Sequence, residues 1–75
     1  MPKEYARVIN MLARNVMTVR ARKDLSQEAL ALAAGVDRTF VSKIERRIAN
    51  PSLATVSALA EALGTTVVGL LSESG

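Results

Sequence analysis

The chain contains no cysteine and no histidine. Together these absences close off disulfide staples, thiolate or imidazole metal sites, and the commonest nucleophile and general-base pairs of enzymes. Aromatics are nearly missing as well: one tyrosine, Tyr5, one phenylalanine, Phe40, and no tryptophan. Binders of single-stranded nucleic acid normally supply several aromatic platforms on which bases stack, so that mode is disfavoured. There is no glycine-rich phosphate loop and no paired-carboxylate or metal-ligand cluster. No apolar run approaches the roughly 18 residues of a membrane span. Lys3, Glu4, Arg7 and Arg14 interrupt the first fifteen positions, which is wrong for the apolar centre of a signal peptide. The expectation is a soluble cytoplasmic protein that is not an enzyme, with no cofactor, metal, membrane or small-molecule ligand.

A length of 75 residues allows one domain, 1–75, with one core. Its expected radius of gyration is roughly 11 Å. Domains this small bury only about 60% of their unfolded surface, and many add disulfides, metals or a second copy of themselves. With the first two closed, a homo-oligomer is expected.

Charge is modest in sum and lopsided in place. The formal net charge is +3. Arg14, Arg20, Arg22 and Lys23 form one acid-free run, and Arg38, Lys43, Arg46 and Arg47 form a second with only Glu45 among them. From Pro51 onward there are Glu61 and Glu73 and no cation. A one-sided basic surface suits a polyanion, although a basic solvated face alone would look the same.

Residues 3–23 lack internal proline and glycine, and Ile9, Leu12, Val16 and Val19 recur at helical spacing, widened by Val8 and Met11. This predicts a long amphipathic helix, or two in tandem if Asn10 or Asn15 interrupts it. Ser26 is placed to cap a helix over 27–34, which Gly35 ends. Asp37 caps the next, from Arg38 to about Arg47, and the step at Asn50-Pro51 stops it. Ser52 starts a helix to Leu63 with Leu53, Val56, Leu59, Ala60 and Leu63 on one stripe, closed by Gly64. Thr65 or Thr66 begins a short final helix through Leu71, followed by a frayed tail at 72–75. The fold class is therefore all-α, a compact bundle of about five helices.

The helix from Arg38 has two unlike sides. On a wheel of about 100° per residue, Arg38, Ser42, Arg46, Thr39 and Lys43 occupy one arc of about 140°, with Phe40, Ile44 and Val41 opposite. One side is suited to burial; the other offers long cationic donors with hydroxyls between them. An α-helix fits the major groove of double-stranded DNA, where arginine or lysine donates to guanine and threonine meets the thymine methyl. Arg38, Thr39, Ser42 and Lys43 are the candidate base-contacting residues. Phe40 lies beside Ile44, which favours packing over base stacking. Ala31 and Ala34 in the preceding helix are small enough to let the two helices approach closely at a steep angle.

Gln27 to Arg46 resembles the helix-turn-helix, at about 26–47, of the lambda-repressor-like (Cro/XRE) family. The matching positions are Leu30, Ala31, Gly35, Val36, Val41 and Ile44, with the lead-in Leu25-Ser26-Gln27. Asn50-Pro51-Ser52-Leu53 and the run Leu59 to Gly64 are similar too, so the likeness spans about residues 15–71. In size the chain resembles restriction-modification controller proteins and small phage repressors. The resemblance implies a five-helix domain that binds an operator, commonly palindromic, as a homodimer and regulates transcription as a repressor or controller. It implies that Gln27 contacts phosphate and braces the recognition helix, and that Arg46 and Asn50 meet phosphates. Arg47, Asn15, Arg22 and, less directly, Arg14 are further expected phosphate contacts. It also implies a structural ion pair between Arg20 and Glu45.

Two departures stand out. The family usually places glycine where Arg47 stands, in left-handed backbone, so either the turn differs or an extra cation at the DNA backbone compensates. The ten or so residues before Met11 exceed the family's usual start, which makes 1–10 an extension of open role. Val67, Val68, Leu70 and Leu71 are too apolar for an exposed last helix; they could simply cap the core, but with more than one face apolar the favoured expectation is a dimer interface. The competing expectation is a protein-interaction module of the same fold, antitoxin-like or coactivator-like, whose main work is to bind another protein.

Overall fold

Caps and breakers divide the chain into five helices, seen in a computed structural model that describes residues 2–73. They are α1 (Lys3–Arg22), α2 (Gln27–Ala34), α3 (Arg38–Glu45), α4 (Leu53–Leu63) and α5 (Val67–Leu71). No strand occurs among the described residues. None of the described helices is long and apolar enough to cross a membrane. Position 1 of the expected N-terminal extension and positions 74–75 of the expected tail lie outside the described residues.

Each start after α1 has a side-chain acceptor for an amide the helix leaves unpaired. Ser26 Oγ accepts from Ala29 N at 3.0 Å, Asp37 Oδ1 from Thr39 N at 2.7 Å, Ser52 Oγ from Thr55 N at 3.1 Å and Thr66 Oγ1 from Gly69 N at 2.9 Å. Such caps contribute roughly 1 kcal/mol apiece. Gly69 is the residue that tolerates this crowding in α5, because a Cβ there would stand 2.7 Å from Thr65 Oγ1 and 3.2 Å from Thr66 Oγ1.

The ends share one device. After α1, α2, α3 and α4 the chain turns through left-handed backbone at Asp24, Gly35, Arg47 and Gly64, with φ of 54°, 71°, 65° and 71°. At α2 the Gly35 N–H donates to Leu32 O and the Val36 N–H to Ala31 O, which satisfies carbonyls the helix cannot. Glycine adopts this geometry without strain; Arg47 does not. The same pair of bonds closes α3, Arg47 N to Ile44 O at 3.0 Å and Ile48 N to Lys43 O at 2.9 Å. For that reason α3 ends at Glu45, short of the expected Arg47.

Every helix sends apolar side chains to one core: Leu12 and Val16, Leu30 and Ala31, Val41 and Ile44, Val56, Leu59, Ala60 and Leu63, and Leu70. Burying each large aliphatic side chain contributes roughly 1.5–3 kcal/mol. The radius of gyration is 11.0 Å, as expected for the length. Residues 10 and 15 do not interrupt α1, which runs unbroken and packs against α3 and α5. Leu53 departs from its expected stripe: as the first residue of α4 it precedes the packed turns and is exposed.

Two expectations about the C-terminal part are corrected. Leu70 is only 1% exposed and belongs to the core, so it does not serve an interface; Val68, 77% exposed, points away from it. Ser72 and Glu73 are tied down rather than frayed, because their carbonyls accept from Asn15 Nδ2 at 2.7 Å and Arg14 Nη2 at 3.0 Å.

Candidate nucleic-acid interface

α3 is amphipathic in the structure as on the wheel. Val41, Ile44 and Glu45 are buried, Phe40 is half-buried against the core, and Arg38, Thr39, Lys43 and Arg46 are exposed. Ser42 sits half-buried between them. Gln27, at the first turn of α2, joins Arg38, Thr39 and Ser42 around a cleft of about 180 Å³. A glutamine amide, a guanidinium and two hydroxyls converge there, a set of donors with acceptor capacity suited to base edges and phosphate oxygens.

The remaining cations frame this face differently. Lys43 is exposed but does not line the cleft. Arg46 folds back along the helix, its Nε donating to Ser42 Oγ at 3.2 Å, so in the free protein guanidinium and hydroxyl occupy one another. Arg47, Asn50 and Arg22 are exposed.

Asn15 has to be removed from the phosphate-contacting group. It is 4% exposed, and its amide nitrogen is taken by the carbonyls of Leu70 at 2.8 Å, Ser72 at 2.7 Å and Gly69 at 3.4 Å. A side chain so placed offers a phosphate nothing.

Behind the exposed face, Glu45 holds three helices in register. Arg20 Nε donates to Glu45 Oε2 at 2.8 Å and Nη2 to Oε1 at 3.1 Å, a two-pronged pair, while Arg20 Nη1 reaches Leu25 O at 2.8 Å. Gln27 Nε2 adds a further bond to Glu45 Oε1 at 2.9 Å. The Glu45 side chain is 6% exposed and that of Arg20 21%. Such a carboxylate is stable in the interior only because its oxygens are filled by well-aimed donors. The amide of Gln27 has two N–H groups, so one serves Glu45 and a second remains for another acceptor. No spacing in the sequence announces the bond between Gln27 and Glu45; it follows from how α2 crosses α3.

This arrangement of α2, tight turn and α3 is that of a helix-turn-helix, and the sequence profile of the helix-turn-helix family HTH_3 matches residues 16–70. The chain belongs to this Cro/XRE-type family. Its members are DNA-binding transcription regulators and not enzymes. Control protein C.SmaI of Serratia marcescens is 43% identical to this helix-turn-helix protein over 65 residues, 87% of this chain and 77% of that one. The crystal structure of the hypothetical transcription factor NHTF from Neisseria superposes with a TM-score of 0.85 at 39% identity, covering 96% of this chain and 82% of that chain. The restriction-modification controller protein C.AhdI from Aeromonas hydrophila superposes with a TM-score of 0.79 at 35% identity, covering 83% and 94%. The helix-turn-helix protein is thus a DNA-binding regulator by family, with a fold shared by controllers and transcription factors.

Proposed function

We propose that this regulator binds an operator in double-stranded DNA sequence-specifically, as a homodimer formed by the single domain 1–75. In this reading the exposed side of α3 enters the major groove, where Arg38, Thr39, Ser42 and Lys43 meet base edges. Gln27, Arg46, Arg47, Asn50 and Arg22 meet phosphates around it. The observation that carries the reading is the two-sided α3: donors line one face while Val41, Ile44 and the bonded Glu45 fix the other to the protein. A helix held from behind in this way presents its side chains to a groove without freedom to roll.

The support for two copies is narrower. Val68 is exposed on α5, with Val67 and Leu71 half-buried beside it. Stable interfaces engage roughly 20–30 residues a side, so the five residues of α5 form the centre of such a contact and not the whole of it. A two-fold dimer reads half-sites about 34 Å apart and therefore favours a palindrome.

Selection of bound sites from random duplex DNA tests all of this together. The expected product is an inverted repeat with half-site centres roughly one helical turn, 10–10.5 base pairs, apart. Recovery of sequences without common bases, or equal affinity at 50 and 300 mM salt where phosphate contacts demand a steep loss, would refute the reading.

A further inference from the structure

α5 is a single turn of five residues, too short to hold its own shape. Its start is fixed by the Thr66 hydroxyl and its end by a different helix. Asn15, in the middle of α1, donates to the carbonyls of Leu70 at 2.8 Å and Ser72 at 2.7 Å, with Gly69 O at 3.4 Å. These are carbonyls that a helix end leaves unpaired. Leu70 is buried on the inner side of the turn, and Val68 lies roughly 200° around it, on the outer side. Leu70 packs into the core with Val67 and Leu71 partly buried against it, and the hydrogen bonds from the buried Asn15 amide add a directional constraint on the turn's rotation. Rotation of this turn decides where Val68 points.

We infer that Asn15 is a positioning residue for self-association: by latching the end of α5 it sets the face that a second copy of this chain meets. The inference rests on the homodimer reading above. The same rigid helix carries Arg20, five residues on, which grips Glu45 at the end of α3. α1 therefore fixes the reading helix at one point and the association face at another, about 7–8 Å apart along its axis. Asn15 acts on operator geometry through α5 while contacting no DNA itself.

The test uses the full chain with Asn15→Asp, which keeps the size but turns an acceptor toward the carbonyls, and Asn15→Ala, which removes the latch without adding charge. Val68→Glu serves as a separate probe of the interface. Helicity, the dimer dissociation constant by sedimentation equilibrium, and affinity for a duplex with one half-site are measured for each. The expected result is a dimer constant at least about tenfold weaker for both Asn15 variants, the loss of one to two directional bonds. Half-site affinity, decided at a distant face, stays within about threefold. An unchanged dimer constant in Asn15→Ala, while Val68→Glu dissociates the protein, overturns the latch and leaves the homodimer reading standing. Parallel loss of half-site affinity and dimerisation overturns it too, because Asn15 then serves only general stability. A wild-type chain that is monomeric at micromolar concentration and on DNA overturns both readings.

Discussion

Replacing Arg47 with glycine should make the free protein more stable and its complex with DNA weaker. Arg47 lies at φ 65° after α3, bonded in the same pattern as Gly35 after α2. A residue with a Cβ gives up roughly 1–2 kcal/mol in this conformation. Glycine recovers that, less about 0.4–1 kcal/mol for the greater freedom it gives the unfolded chain. The net gain is about 0.5–1 kcal/mol, which in a domain of this length raises the melting temperature by roughly 2–8 °C. Arg47→Ala separates backbone from charge: it keeps the Cβ and should bring no stabilisation. Both variants lack the guanidinium, so both should bind every duplex more weakly and lower the slope of log affinity against log salt by about one contact. Calorimetry of the free protein and titrations at several salt concentrations read the two effects independently. A melting temperature for Arg47→Gly no higher than wild type would refute the strain argument. Affinity lost in only one of the two variants would refute the role of the cation.

Arg38→Ala and Lys43→Ala should each cost roughly 1–3 kcal/mol on the operator and relax preference at particular base pairs, read by competition between operator variants. Glu45→Ala strands the Arg20 guanidinium and frees Gln27; a loss of about 2–4 kcal/mol is expected in denaturant unfolding, discounted because Arg20 is partly solvated. The double variant Arg20→Ala with Glu45→Ala should lose less than the sum of the two single changes. Leu59→Ala removes a fully buried side chain at the centre of the core, and a cost of roughly 2–5 kcal/mol should leave the domain largely unfolded at 37 °C by circular dichroism. At the other extreme, the exposed pair of Glu4 and Arg7 holds the Glu4 carboxyl below its usual range through the guanidinium hydrogen bond. Any contribution is present at neutral pH and lost as pH falls through that lowered value; because both side chains are exposed and screened by solvent it is small, and Glu4→Gln should barely shift the melting temperature at pH 7.

The reading face was legible because local rules coincide there. Asp37, a capping residue, fixes where α3 begins, Gly35 fixes where α2 stops, and a helix of 3.6 residues per turn then sorts Arg38, Thr39, Ser42 and Lys43 from Val41 and Ile44. Asn15 was illegible for the converse reason. Its partners lie 54 to 57 residues away in the chain, and a polar side chain between Arg14 and Val16 looks solvated until α5 is packed against it. Leu70 was misplaced because in a helix of one turn with four apolar residues, periodicity cannot say which of them faces in. Leu53 was misplaced because a wheel has no sense of position along the axis, and the first residue of α4 stands beyond the layer it would have packed on.

The sequence by itself determined the caps that start α2, α3 and α4, the glycines that end α2 and α4, and which side of α3 is cationic, because capping, left-handed turns and helical periodicity act over a handful of neighbouring residues. Only tertiary structure decided that Glu45 receives Gln27 as well as Arg20, that Asn15 grips α5 instead of reaching for DNA, and that Val68 rather than Leu70 faces outward. Those outcomes depend on side chains from helices far apart in the chain meeting at hydrogen-bond distance, and nothing local encodes the angle at which helices cross.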